Sequence, residues 1–545
     1  MSVQKIAYFL LLIGPLITIH ELGHFLMAKL FRVKVLRFSI GFGPRLLGFT
    51  KGETQYQIAA LPLGGYVKMA GDDPTEAARP EDQGRGFLEQ APWKRSLIAL
   101  AGPFTNLIFP FLIYFGVAYL QTTDYSSRVG HVDPDTPAYR AGIRDGDRIV
   151  AVDGKPVAYF DQLRDLIGPK WDQQVTLELE KPDGKHATLT AVPEKRMAPG
   201  ILHDNPRGVL GVTQQQLASV VAVAGPDSPA GKAGIQPLDH ITQVAGEPVT
   251  VFADLERIVA KQTGPFEVQF LRTEPLPMPG TGLSTEVVHV VTVTPAAGGT
   301  LEARTGLASP ETVITNVTPD SPAGKAGLRR GDRLLEANGK PLLSWSTLTK
   351  AAEEAKTAPL DLLVLRGGQK IHVNVAQVNR TLENERGKEE QHLYFGAQHE
   401  SFSAPGELIP IHRNVFETTA VATRQVTDVI TGVAEAFFGL ITTQVSPKTV
   451  GGPVMLFDIA SKTAEAGWDV FLGAMAAISV NLGVMNLIPV PVLDGFHILS
   501  AGFEWVRRRP LSLRAREIAN VVGLAMLLLM MAYVLHNDLM KFVFN

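Results

Sequence analysis

Four stretches of this 545-residue chain are apolar over roughly the 20 residues that a helix needs to cross a bilayer. They run from Ile6 to Phe31, Leu97 to Leu120, Val470 to Ile488 and Ile518 to Leu535. Nothing else in the sequence constrains the fold as strongly. Lipid offers the backbone no hydrogen-bond partner, so a spanning segment of this kind must be helical. Mean hydropathy is nevertheless only +0.10, with 19% charged residues. An ordinary polar region must therefore lie between the second and third spans.

Charge placement orients the spans. Lys29, Arg32, Lys34, Arg37, Arg45, Lys51, Lys68, Arg79, Arg85, Lys94 and Arg95 separate the first two, and Arg507, Arg508, Arg509, Arg514 and Arg516 separate the last two. Both loops are expected in the cytoplasm of a bacterial cell. The long middle region and both termini are then periplasmic. The N-terminal run has only Lys5 as a basic flank and no small-residue cleavage site, so it reads as a retained helix rather than a signal peptide. Net charge is −3, which argues against nucleic-acid binding. Cysteine is absent, which excludes disulfides, thiolate metal ligands and a thiol nucleophile.

The middle region repeats itself. Asp135-Thr136-Pro137-Ala138, Asp227-Ser228-Pro229-Ala230 and Asp320-Ser321-Pro322-Ala323 each lead to Ala-Gly-Ile/Leu, with prolines 92 and 93 residues apart. Each copy continues into an acidic turn and an apolar strand (Asp147 to Val150, Asp239 to Thr242, Asp332 to Leu335). A second turn follows at Asp153-Gly154, Ala245-Gly246 or Asn338-Gly339, then a helix-like stretch from Phe160, Phe252 or Trp345. The pattern resembles the circularly permuted bacterial PDZ domain, which implies three tandem PDZ-like α+β domains. The second copy departs from it. Leu238 stands where the others have Gly146 and Gly331, and a Pro/Gly-rich insertion runs from Glu274 to Ser284, so its turn is expected to be distorted. Gly208-Val209-Leu210-Gly211 and Thr305-Gly306-Leu307 are candidate carboxylate-binding loops, since PDZ domains capture peptide ends along a sheet edge. The copies read equally as peptide-binding modules or as a steric screen.

His20-Glu21-Leu22-Gly23-His24 lies inside the first apolar run. Two histidines four residues apart share a helix face and can hold one metal ion, with the intervening glutamate within reach of water at that metal. Burying ionisable groups in a span costs about 2.5–3.5 kcal/mol per charge, so they are expected to face the protein interior and to serve a function. Catalytic zinc takes three protein ligands and keeps one position open, so a third ligand is required. Near the end of the third span the chain reads Asn486-Leu487-Ile488-Pro489-Val490-Pro491-Val492-Leu493-Asp494-Gly495. Two prolines prevent a regular helix there. An unwound backbone can turn Asp494 toward a metal on another helix, and Gly495 gives it conformational room. His497 follows closely, but a fourth ligand would close the open position, so it is assigned to a supporting role.

These segments, with Phe38 to Pro44, Pro62 to Met69 and Ala101-Gly102-Pro103-Phe104-Thr105-Asn106, resemble the site-2 protease family in its bacterial RseP-type branch. The resemblance covers nearly the whole chain. It implies a polytopic α-helical membrane protein with a membrane-associated β-hairpin sheet. It also implies one zinc ion per chain held by His20, His24 and Asp494, Glu21 as base, and Asn486 assisting substrate or the oxyanion. Expected partners are membrane lipid and single-pass membrane proteins, either an anti-sigma factor or signal-peptide remnants, with no nucleic acid. Members of the branch commonly carry two PDZ domains where this chain has three, and Phe496 stands where they often have a second glycine.

Gln55 to Leu61 reads as a strand, followed by a Gly-Gly turn and Tyr66-Val67-Lys68-Met69. Gly64, Gly65, Tyr66 and Val67 are the candidate substrate-binding residues, since an edge strand can pair with unwound substrate. Apolar residues at Val415, Val421, Val426, Val429, Ile430 and Val433 suggest an amphipathic helix on the membrane surface or against the bundle. The expected organisation is an N-terminal membrane part (1–120), PDZ-like domains at 121–200, 201–300 and 301–400, a helical connector (401–469) and a C-terminal membrane part (470–545). The competing readings are a non-catalytic PDZ membrane scaffold and a metal transporter.

Overall fold

The structure is a computed structural model that describes residues 3–72, 82–198, 200, 202, 204–275, 284–384, 386–509 and 512–542. Arg79 and most of the insertion between Glu274 and Ser284 lie outside the described residues. Two compact units emerge. The first comprises Met1–Thr122, Glu385–Lys388 and Ile411–Asn545, and the second Thr123–Asn384 and Glu389–Pro410.

In the first unit every apolar run is a helix. Helices α1 (Val3–Leu30) and α2 (Pro92–Leu120) come from the N-terminal part, and helices Trp468–Leu487 and Leu513–Phe542 from the C-terminal part. All four are long and apolar enough to cross a membrane. α2 begins several residues before its apolar run because Pro92 sits in its first turn, where a missing N–H costs nothing. The segment before the third span holds helices Val415–Ile441 and Pro453–Ala466. The first of these packs against α2 and helix Trp468–Leu487. Its fully buried residues are the small ones, Thr418, Ala422 and Gly439, while Val415 is exposed. Val421, Val426, Val429, Ile430 and Val433 are half-buried, so the apolar spacing marks the same inner face that the small residues pack.

The C-terminal helix is tied down by one buried carboxylate. Asp538 accepts hydrogen bonds from the backbone N–H groups of Gly452 (3.1 Å), Val454 (2.9 Å) and Met455 (3.2 Å). These are orphan donors at the start of helix Pro453–Ala466, where a negative charge also complements the helix dipole.

Strands β1 (Val35–Lys51) and β2 (Thr54–Met69) form a sheet in this unit. The expected Gly-Gly turn is not a turn: β2 continues through Gly64 and Gly65. It does so by changing partners. Residues 54–59 pair with 45–51 and with 37–40, whereas residues 65–69 pair with 35–40. Among the described residues, 65–69 have no second strand partner and form a sheet edge.

The second unit contains three four-stranded sheets of the same order: 155–156, 148–152, 175–180, 186–191; 247–248, 240–244, 266–275, 284–293; and 340–341, 333–337, 360–366, 369–375. Each has its own apolar core. The acidic turn of each repeat supplies a buried aspartate that pairs with a cation on, or just after, the third strand: Asp147 with Lys181, which follows the strand, Asp239 with Arg272, Asp332 with Arg366. The second turns share a left-handed pair, with φ of 49° at Asp153, Ala245 and Asn338 followed by a positive-φ glycine. The second repeat is not distorted at Leu238. Leu238 has φ 74°, close to the 86° and 88° of Gly146 and Gly331. Its side chain packs on Ala222, Ala308 and Val313, which offsets the roughly 1–2 kcal/mol cost of that conformation.

The two candidate carboxylate loops close their own repeats. Leu210 accepts from the Ala138 N–H, and Gly306 from the Ala224 N–H. The third repeat closes in the same way at Phe395, which accepts from the Ala323 N–H. No sequence signal marked that third loop.

Candidate metal centre

Helix α1 carries His20 and His24 one turn apart, both buried. Asp494 is the first residue of helix Asp494–Arg507. The chain between Leu487 and Asp494 is broken as the prolines require, and Val492 adopts φ 82°, a strained value for a β-branched residue. The break turns Asp494 back toward α1. Gly495 has a different role from the expected one. A Cβ there would collide with the carbonyls of Leu487 and Ile488, so glycine is needed for close approach to the preceding helix end rather than for backbone freedom.

Three potential ligand atoms converge. His20 Nε2 lies 3.2 Å and His24 Nε2 3.4 Å from Asp494 Oδ2, and the two Nε2 atoms are 3.3 Å apart. In a tetrahedral zinc site with bonds of about 2.0–2.1 Å, ligand atoms stand about 3.3–3.4 Å from one another. The donor set and its spacing therefore fit a zinc ion with one position left open. His497 takes no part; its ring meets Phe87 edge-on, with centroids 6.4 Å apart.

The surroundings hold these side chains in place. His24 Nδ1 lies 2.8 Å from the Ile98 carbonyl, which can only accept, so Nδ1 carries a proton and Nε2 is the nitrogen that the neutral ring leaves for a metal. Gly102 on α2 admits the His24 ring; a methyl there would lie 2.8 Å from His24 Cδ2 and closer still to Cε1 and Nε2. Thr105 Oγ1 lies between the carbonyls of Gly102 (2.7 Å) in its own helix and Ile19 (2.9 Å) on α1, so α2 and α1 meet closely beside His20. A buried ion pair between Arg95 and Glu504 joins α2 to the helix that bears Asp494.

Glu21 is half-buried on the same turn. Gly65, on the open edge of β2, lies against it: a Cβ at position 65 would be 2.9 Å from Glu21 Cγ and 2.8 Å from Ile17 Cγ2. Asn486, in the last turn of helix Trp468–Leu487, points its amide at His20 Nε2 from 3.5 Å. Of the sequence-derived site residues, His20, Glu21, His24, Asn486 and Asp494 thus meet in one place, and Gly65 adjoins them. Gly64, Tyr66 and Val67 lie on the same strand, and the Tyr66 hydroxyl accepts from Arg37 at 3.0 Å. The sequence reading assigned no role to Ile98 or Gly102. Ile98 acts through its carbonyl, which any residue possesses, so its side chain gave no signal.

The Peptidase family M50 model matches residues 8–530. A Neisseria meningitidis protein named "Putative zinc metalloprotease" is 30% identical over 541 residues, covering 98% of each chain. Regulator of sigma-E protease RseP of Escherichia coli is 28% identical, again over 98% of each chain. Among solved structures, the HtrA3 PDZ domain bound to a phage-derived ligand covers 21% of this chain and 88% of its own, at 23% identity and a TM-score of 0.11.

Proposed function

The chain belongs to peptidase family M50, the site-2 protease family, and from that premise we propose that it hydrolyses single-pass membrane proteins within the bilayer at a zinc ion held by His20, His24 and Asp494. One observation carries the assignment: the mutual spacing of 3.2, 3.3 and 3.4 Å among the three ligand atoms. We assign one ion per chain to this centre, the one of the two metal-ligand groups among the described residues that lies on the apolar helices. Zinc, when bound, polarises the scissile carbonyl and makes water a stronger nucleophile. Glu21 takes the proton released from that water and passes it to the leaving amine. Asn486 directs its amide N–H at the carbonyl oxygen as negative charge develops there. No covalent intermediate is needed.

A helical substrate hides its amides and must be extended before it is cut. The open edge of β2 at Gly64, Gly65, Tyr66 and Val67 offers backbone groups for strand addition beside Glu21. The contact of Gly65 with Glu21 supports this role.

We read the second unit as three PDZ-like domains in the periplasm that select what reaches the membrane unit. Their closing segments support boundaries just after residues 213, 308 and 398. On the charge pattern both termini are periplasmic and the metal centre lies toward the cytoplasmic side of the bacterial inner membrane. An anti-sigma factor is the proposed substrate, as the family resemblance implies; the Escherichia coli relative is named as a regulator of sigma-E.

The test compares wild type with Glu21→Gln, measuring bound zinc and cleavage of a single-pass model substrate. Retained zinc with cleavage lost is expected. Equal cleavage by both proteins, or no zinc in either, would refute the reading.

A further inference from the structure

Each histidine of the metal centre has a second ring nitrogen, and the two are held differently. The His24 Nδ1 faces a backbone carbonyl, which fixes its tautomer. The His20 Nδ1 faces a side chain instead, the amide of Asn106 on α2, at 3.1 Å. An amide offers a donor at one end and an acceptor at the other, so it can impose either tautomer. With Nδ2 toward the ring, Asn106 donates to Nδ1. The proton is then forced onto Nε2, the atom needed by the metal. In that orientation Asn106 Oδ1 is buried and has no hydrogen-bond partner. A buried carbonyl left without a donor costs about 1–3 kcal/mol. Half a turn of the amide exchanges its two ends and places Nδ2 where Oδ1 was, so what selects this orientation is the need for a bare Nε2 facing Asp494 and His24. Oδ1 then accepts from His20 Nδ1–H, and Nε2 is bare.

We propose that Asn106 is a positioning residue that holds His20 in its metal-binding tautomer by accepting a hydrogen bond from Nδ1–H. The fold locks it in place for this. Asn106 is fully buried. Its backbone carbonyl accepts from Ser479 Oγ at 2.9 Å, which ties α2 to helix Trp468–Leu487 at this residue. Gly483 leaves room for it, since a Cβ there would stand 3.2 Å from the Asn106 Cβ. The two histidines thus receive equivalent acceptors from one helix, a carbonyl at Ile98 and an amide oxygen at Asn106, eight residues apart. The inference rests on His20 being a zinc ligand.

The test is zinc affinity of the full-length protein in detergent, by competition with a chelator, for wild type, Asn106→Leu, Asn106→Asp and His20→Ala. Melting of each metal-free protein checks folding. Asn106→Leu removes the acceptor and should weaken zinc binding by about 10- to 100-fold, the range typical for lost partners of a ligating histidine. Asn106→Asp keeps an acceptor and should stay within about threefold of wild type. A merely structural role would not distinguish the two in this order. Wild-type affinity in Asn106→Leu, or equal losses in both variants, overturns the proposal. If Asn106→Leu does not fold, Asn106→Asp decides alone: zinc retained supports the proposal, and a loss above about tenfold overturns it. Wild-type affinity in His20→Ala would instead show that the metal-site reading itself has failed.

Discussion

Replacing Gly102 by alanine adds one methyl group at the tightest point of the metal centre. That methyl would lie 2.8 Å from His24 Cδ2 and closer to the other ring atoms, against an ordinary carbon contact of about 3.5–4.0 Å. The ring or the backbone must therefore yield by about 1 Å, while a metal site tolerates displacements of only about 0.2 Å. Forced overpacking typically costs about 1–3 kcal/mol, and at roughly 1.4 kcal/mol per decade this predicts zinc binding weakened by about 5- to 150-fold. Helix α2 contains its own control. Gly116 lies in the same helix, and a Cβ there would meet nothing within 4 Å. Gly116→Ala should leave zinc affinity unchanged and stabilise the helix by about 0.5–1 kcal/mol. Chelator competition measures the affinity, and melting of the metal-free proteins separates it from folding. Wild-type zinc affinity in Gly102→Ala, or equal losses in both variants, would refute the reasoning.

Asp494→Ala should reduce bound zinc sharply, as two histidines alone leave the site a ligand short; unchanged metal content by elemental analysis would remove Asp494 from the centre. Asp332→Ala should destabilise the third repeat by about 1.5–3 kcal/mol, because it removes the buried hydrogen-bond partner of the partly exposed Arg366; protease susceptibility of the full chain reports it, and wild-type resistance would contradict it. Burial lowers the pKa of His131, but Asp145 at 2.9 Å and Glu311 at 3.0 Å outweigh this and push it up to about 10. A raised pKa stabilises fully below the unfolded value of about 6.5 and fades as pH rises through the folded one. His131→Gln should therefore flatten the loss of repeat-region stability between pH 7 and 10; a slope identical to wild type in pH-dependent proteolysis counts against the clamp. Asp538→Ala should lower stability in detergent by about 1–2 kcal/mol through lost capping, read as a lower melting midpoint; an unchanged midpoint would contradict the capping role.

Patterns that act along the chain were readable from the sequence. Four apolar runs require helices because lipid cannot satisfy the backbone. The His20–His24 spacing places two imidazoles on one helix face because the helix repeat is 3.6 residues per turn. The three repeats announce three similar sheets. The prolines at 489 and 491 guarantee a break before Asp494.

What needed the tertiary structure were features in which distant segments meet through groups that leave no sequence signal. The carbonyl of Ile98 is present at every residue, so only proximity shows that it fixes His24. Gly102 and Gly495 matter for what crowds them, whereas a glycine in a sequence suggests backbone freedom. The passage of β2 through Gly64-Gly65 followed from an exchange of strand partners, which is a long-range choice. Leu238 tolerates a left-handed conformation because a pocket formed by Ala222, Ala308 and Val313 receives its side chain. Local chemistry named the candidate ligands; packing between helices decided how they are held.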